Sequence, residues 1–206
     1  MLIVHHLNNS RSQRILWLME ELGVDYEIKR YQRDAVTSLA PPELKAIHPL
    51  GKSPVVTDKG EVLAESGMIV DVLARRYGAH LAIDASEADY PAYMHWLHFA
   101  EGSAMTPFLL ALYTGRLGAA AAPLQPRIMG EIANHLSYIE GHLTGKTYLV
   151  GEKLTGADIQ MSFIGEIAKA QGALANLPNT AAWLARLHAR PQWKTALEKG
   201  GPYIYA

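Results

Sequence analysis

A proline that opens a β run is the strongest constraint on what this chain can fold into. In Lys52-Ser53-Pro54-Val55-Val56 the proline has no N–H to give to a sheet ladder, so it marks either an edge strand or a special turn. The bond before it is also the one type at which a cis peptide costs only about 0.5 to 1 kcal/mol. A turn of this kind leaves the backbone of Ser53 able to pair with an extended peptide. Val55-Val56-Thr57, the turn Asp58-Lys59-Gly60 and Glu61-Val62-Leu63 read as a short hairpin, and Glu65-Ser66 then opens an apolar helix. The chain has no cysteine. Any thiol chemistry at such a peptide-shaped site must therefore use a thiol that arrives with the substrate.

Around this loop the first part of the chain alternates strand and helix, and the remainder is almost wholly helical. Leu2 to His6 reads as a strand. Ser12 to Leu22 reads as a helix, with Ile15, Leu16, Leu18, Met19 and Leu22 on its apolar positions and Gly23 as its stop. Val24, Tyr26 and Ile28 alternate with Asp25, Glu27 and Lys29, the pattern of a strand with one buried face. A loop with Pro41, Pro42 and Pro49 leads to the hairpin, and a helix from Ser66 to Tyr77 closes the unit before Gly78. The expected organisation is an α/β domain over 1–80, a linker over 81–87 and an all-α domain over 88–206. In the second domain a long helix is expected from Tyr90 to about Tyr113, another from Arg127 to Leu143, and a last one from Thr180 that breaks at Pro191. Thr155-Gly156-Ala157-Asp158 has the spacing of a capping box, with Leu154 and Ile159 placed to form a hydrophobic staple.

Composition excludes several classes of function. At 206 residues, 49% hydrophobic and a formal net charge of -1, the chain suits one large or two small domains and lacks the basic footprint of a nucleic-acid binder. No apolar stretch approaches the ~18 residues that span a bilayer, and the N-terminus lacks a basic segment and a small-residue cleavage site, so a cytoplasmic location is expected. Without cysteine there is no disulfide and no thiolate metal site. Of the nine histidines, His95 and His98 are three apart on an expected helix and His5 and His6 are adjacent on a strand. No carboxylate completes an H-E-x-x-H pattern, and no metal is expected.

Taken together, Asn9-Ser10-Arg11-Ser12-Gln13-Arg14-Ile15-Leu16-Trp17, His48-Pro49-Leu50-Gly51-Lys52-Ser53-Pro54, Glu65-Ser66 and Leu154-Thr155-Gly156-Ala157-Asp158-Ile159 resemble the soluble glutathione transferases, in particular their serine-type bacterial and fungal members. The likeness covers essentially the whole chain. It implies a thioredoxin-like N-terminal domain that binds glutathione, an all-helical C-terminal domain, and a pocket between them for an apolar electrophile. It also implies a homodimer, with glutathione as co-substrate and no resident cofactor.

The resemblance assigns the activating hydroxyl to Ser10, between the first strand and the first helix. A serine there is also an ordinary helix cap, and both tasks could be shared, with Ser12 capping and Ser10 facing the ligand. Lowering a thiol from its free pKa of ~8.5 by about two units takes about 2.7 kcal/mol. A helix N-terminus supplies about 0.3 to 1 kcal/mol and a hydrogen bond to an anion about 1.5 to 3, so the hydroxyl is the larger contribution. Family placement gives Glu65 the ammonium and Ser66 the α-carboxylate of the γ-glutamyl end. It gives Ser53 the cysteinyl backbone, in strand fashion, and Lys52 a carboxylate. Arg11 adds positive potential beside Ser10 or points to solvent, and His48 reads as a loop residue. Leu7, Met105, Phe108, Leu109 and Tyr113 fall where the family holds its electrophile, although apolar residues at such spacing also build cores. The expected function is transfer of glutathione sulfur to an apolar electrophile, with a peroxidase side activity. The alternative is a binding module of the same fold, for glutathione, apolar ligands or a protein. A thiol-disulfide oxidoreductase would need a cysteine at the first helix. Asp158 is expected to serve folding and not substrate choice.

Overall fold

The computed structural model describes residues 1–206. Its contacts divide the chain into two compact units, one of Met1–Asp84 with Ala185–Ala206 and the other of Ala85–Leu184. In the first unit β1 (Leu2–Leu7), α1 (Ser12–Leu22), β2 (Glu27–Tyr31), the short α2 (Glu43–Ile47), β3 (Val55–Asp58), β4 (Glu61–Ala64) and α3 (Ser66–Tyr77) follow in order. They build a mixed sheet of four strands in the order β2-β1-β3-β4. β1 pairs with β2 in parallel and with β3 antiparallel, His5 standing opposite Val55, and β3 and β4 form the hairpin. This is the thioredoxin-like arrangement.

Pro54 therefore opens an inner strand, not an edge. Of the two expectations the special turn is the one realised, and the Ser53–Pro54 peptide is cis. Upstream, Gly51 takes φ 56° to close the turn in which its N–H donates to the His48 carbonyl at 2.8 Å. A Cβ at Gly51 would meet Lys45 Cγ at 2.8 Å, so a side chain is resisted here by space as well as by backbone conformation.

The core of this unit lies under the apolar face of α1. Ile15, Leu16, Leu18 and Met19 are fully buried, with Ile69, Val70 and Leu73 of α3. α1 ends in a Schellman motif: Gly23 sits at φ 63°, its N–H reaches the Glu20 carbonyl, and Val24 N–H reaches the Met19 carbonyl. Val24 is consumed by that closing turn, and the ladder begins at Glu27 although the expected burial alternation from Val24 to Lys29 is present. The proline-rich segment contains one turn-and-a-half of helix, α2, which is too short to show a periodicity.

The helical unit contains α4 (Tyr90–Phe99), α5 (Met105–Gly115), α6 (Gln125–His142) and α7 (Gly156–Ala170). The long helix expected over Tyr90–Tyr113 is interrupted: Ala100–Ala104 forms a π-helical segment between α4 and α5. The interruption falls on Ala-Glu-Gly-Ser-Ala, whose Gly102-Ser103 pair is of the kind at which helices depart from a regular ladder. The Thr155 capping box is formed. Thr155 Oγ1 accepts Ala157 N–H at 3.3 Å and Asp158 Oδ2 accepts Thr155 N–H at 3.0 Å. α8 (Pro178–His188) and α9 (Pro191–Gly200) end the chain.

The residues from Ala185 on group with the first unit, whereas the sequence pattern places all of 88–206 in one helical domain. The reason is α9. Gln13 Nε2 donates to the Ala196 carbonyl at 2.9 Å, Arg190 forks onto Glu21 at 2.6 and 2.7 Å, and Lys199 meets Glu20 at 2.6 Å. Helix periodicity cannot say which unit a helix covers.

Candidate functional site

β1 ends at Leu7, and the turn Asn8–Arg11 delivers the chain into α1. Asn9 accepts φ 48°, and its side-chain oxygen takes the Ile204 N–H at 3.0 Å. Ser10 follows, 5% exposed. Its Oγ accepts the Ser12 N–H at 3.2 Å and lies 2.8 Å from Ser12 Oγ. Of the readings open from the sequence, Ser12 as cap is not the one formed. Ser10 takes an N–H of the first turn, while the Ser12 hydroxyl turns back to β1, 2.9 Å from His6 Nδ1 and 3.2 Å from Leu7 N and O.

His6 and His5 point to opposite faces of β1. His5 lies between Tyr31 Oη at 2.9 Å and Thr57 Oγ1 at 3.0 Å. His6 is bonded to Ser12 on one side and to the Gly200 backbone on the other. Burial, aided by the Arg30 charge and opposed by the bond to Gly200, pushes His6 down to about 4. Burial, with the Lys29 charge, also pushes His5 down. Both rings are neutral at neutral pH. His6, Ser12 and Ser10 thus form a buried chain of hydrogen bonds behind the Ser10 hydroxyl.

The hairpin side of the site is tied to the same strand. Ser53 Oγ donates to the His5 carbonyl at 3.1 Å, so the residue before the cis junction is fastened to β1. Lys52 is exposed and Ser53 half-buried. At the start of α3 Glu65 is exposed and takes φ 69°, ψ 112°, which is unusual for a residue with a side chain and costs of order 1 to 3 kcal/mol. Ser66 is buried, and Arg14 Nη2 donates to its Oγ at 2.6 Å. Arg14 itself is 2% exposed. Apolar periodicity gives this arginine no role. Its signal is a cation on the buried stripe of α1, one turn before Leu18.

Ser10, Ser53 and Ser66 are each tied by a hydrogen bond to β1 or α1. Arg11 is half-buried at a helical φ of -59° directly before α1. His48 closes the turn to Gly51 through its carbonyl. Leu7 is 2% exposed and packs with Tyr31, Leu44 and Ala40, a core position. In the helical unit Met105 and Phe108 are buried, Leu109 is half-buried and Tyr113 is 58% exposed. They share one face of α5 by helical spacing. A cavity of about 110 Å³ beside His6, Asn8, Asn9 and Arg30 is not lined by Ser10, Ser53 or Ser66. No cluster of three or more histidine, aspartate and glutamate side chains is placed to hold a metal, and His95 lies in an aromatic cluster, 3.1 Å from Tyr138 Oη.

A hydroxyl at the N-terminus of the first helix, a cis-proline strand start and a serine at the head of α3, on a mixed thioredoxin-like sheet accompanied by a helical unit, are the arrangement that the resemblance to glutathione transferases implies. Comparison with known proteins agrees. The family model described as glutathione S-transferase, N-terminal domain, matches residues 1–75, and that described as glutathione S-transferase, C-terminal domain, matches 90–191. Glutathione S-transferase 3 of Schizosaccharomyces pombe is 38% identical across 97% of this chain and 88% of its own. Glutathione S-transferase 1 of Saccharomyces cerevisiae is 32% identical across 95% and 94%. A crystal structure of a glutathione S-transferase from Actinobacillus pleuropneumoniae superposes with a TM-score of 0.90 at 37% identity, covering 99% of this chain and 94% of that one. The chain belongs to the glutathione S-transferase family.

Proposed function

We propose that this protein is a catalytically active glutathione transferase in which Ser10 activates the thiol. The observation that carries the reading is the Ser10 hydroxyl: a small O–H group at a strand-to-helix turn, its oxygen anchored by the Ser12 N–H at 3.2 Å. Its proton can turn from Ser12 Oγ to an arriving sulfur. A hydrogen bond to an anion is worth about 1.5 to 3 kcal/mol, enough to move a thiol by one to two pKa units. The glutathione thiol gives its proton to solvent, and the Ser10 O–H donates to the thiolate. The sulfur then forms a bond to an electrophilic carbon as the leaving group departs, or attacks a peroxide oxygen as the O–O bond breaks, giving a glutathione sulfenic acid and an alkoxide that takes a proton from solvent. Ser10 forms no covalent bond. Catalysis is positioning plus thiol activation.

In this reading the cysteinyl backbone of glutathione pairs at Ser53, and Glu65 and Ser66 take the ammonium and α-carboxylate of the γ-glutamyl end. Lys52 and Arg11 lend positive charge. Met105, Phe108, Leu109 and Tyr113 are assigned to the apolar co-substrate. The working form is a cytoplasmic homodimer that uses glutathione as co-substrate and needs no resident cofactor. An ultraviolet titration of bound glutathione against pH is the test. A thiol that titrates well below its free value is expected; binding with an unshifted thiol would instead mark a glutathione-binding module without turnover.

A further inference from the structure

Arg14 is a full positive charge inside the first unit, on α1, with its Nη2 2.6 Å from Ser66 Oγ. A guanidinium has donors and no acceptor, so in this bond the Ser66 oxygen can only accept. The Ser66 O–H is then directed away from Arg14. Ser66 is the first residue of α3, where the N–H groups of the opening turn carry the positive end of the helix dipole. The residue before it, Glu65, holds φ 69° and gives α3 no side-chain cap. A strained helix start whose first hydroxyl accepts from a buried cation is an arrangement that suits an anion. The bond is charge-assisted, and a hydroxyl that accepts from a cation is a stronger donor to an anion.

We propose that Arg14 is a positioning residue for carboxylate recognition: through Ser66 it sets the polarity of the hydroxyl that receives the α-carboxylate of the γ-glutamyl group. The proposal rests on the assignment of glutathione made above and adds to it the source of selectivity for that carboxylate. Arg14 acts from within the protein and touches no substrate.

Titration calorimetry with glutathione and with its decarboxylated analogue, γ-aminobutyryl-cysteinyl-glycine, tests this. Wild-type protein should bind glutathione more tightly than the analogue. Arg14→Gln should weaken glutathione about ten- to a hundredfold and leave the analogue almost unaffected. Arg14→Lys, which still can only donate, should restore part of the preference. Ser66→Ala should lose the preference as well, and Arg14→Gln added to it should cost little more. Because a buried arginine can be needed for folding, the wild-type Arg14 guanidinium N–H resonances supply an independent readout. They should shift on addition of glutathione and not of the analogue. Folded Arg14 variants that bind glutathione as wild type does, or that lose both peptides equally, would overturn the proposal, as would guanidinium resonances that respond alike to both. Wild-type protein that binds neither peptide would overturn the glutathione assignment itself, an outcome distinct from loss of selectivity in the variants alone.

Discussion

Asp158 Oδ1 accepts the indole N–H of Trp183 at 2.9 Å, joining the first turn of α7 to α8. The same oxygen accepts Leu149 N–H at 2.9 Å, while Oδ2 accepts Thr155 N–H. Burial pushes the Asp158 carboxyl up, and these donors from Leu149, Trp183 and Thr155 oppose it. Replacement by asparagine puts an NH2 group where one oxygen now meets N–H donors, leaving buried donors unmade. Asp158→Asn should lower unfolding stability by about 1 to 3 kcal/mol, seen as a lower denaturant midpoint. Trp183→Phe should show part of this loss. Neither should reorder substrate preference; unchanged denaturant resistance in Asp158→Asn would contradict the capping account.

A second carboxylate caps a helix from outside it. Glu140 on α6 accepts N–H and side-chain donors from Asn179 and Thr180 at 2.7 to 2.9 Å, at the start of α8. Burial pushes Glu140 up, but the bonds from Thr180 and Asn179 outweigh it and hold the carboxyl below its usual range. A depressed folded pKa stabilises above the unfolded value, about 4.3, and that contribution is lost as pH falls through the folded one. Glu140→Gln should cost about 1 to 3 kcal/mol at pH 7. The gap between the two proteins in thermal unfolding should narrow below about pH 4. A gap that stays constant to acid pH would show that the charge contributes nothing.

His6 works in a different pH window. Its folded value of about 4 lies below the unfolded ~6.5. The neutral ring therefore stabilises the fold fully above pH ~6.5, and the contribution, on the order of 3 kcal/mol, falls away as pH drops toward 4. Ring nitrogen resonances of His6 should show no titration between about pH 5 and 8. A midpoint near the ordinary histidine value would contradict its burial between Ser12 and Gly200.

Much of this architecture is legible from local pattern. α1 and α3 run over the residues their apolar spacing and terminal glycines mark, and Thr155-Gly156-Ala157-Asp158 announces its capping box. What the pattern lacks is partners. Nothing in Pro191-Gln192-Trp193 indicates that α9 lies on α1, because an amphipathic helix advertises a buried face without naming what covers it. The same limit hides Arg14: its place on α1 is readable, but its bond to Ser66 spans 52 positions and exists only once α3 is packed beside α1. Leu7 is ambiguous for the reverse reason. Apolar spacing admits both a wall of a pocket and a core residue, and only the fold shows that its side chain packs against Tyr31 and Leu44.

Ser10→Ala separates affinity from rate. The peptide contacts assigned to Ser53, Glu65 and Ser66 do not pass through the Ser10 side chain, so glutathione binding should change little. Loss of the O–H removes a donor to the thiolate worth about 1.5 to 3 kcal/mol. The bound thiol should therefore titrate one to two units higher, and the rate at neutral pH should fall about ten- to a hundredfold. The variant also strips the Ser12 N–H of its acceptor at 3.2 Å, a fold contribution of about 1 kcal/mol that should appear in unfolding and not in the pH profile. Calorimetric binding, thiolate absorbance against pH and steady-state rates on the same two proteins resolve the three effects. Equal thiol titrations in wild type and Ser10→Ala would remove Ser10 from catalysis and turn the search to another group near the sulfur.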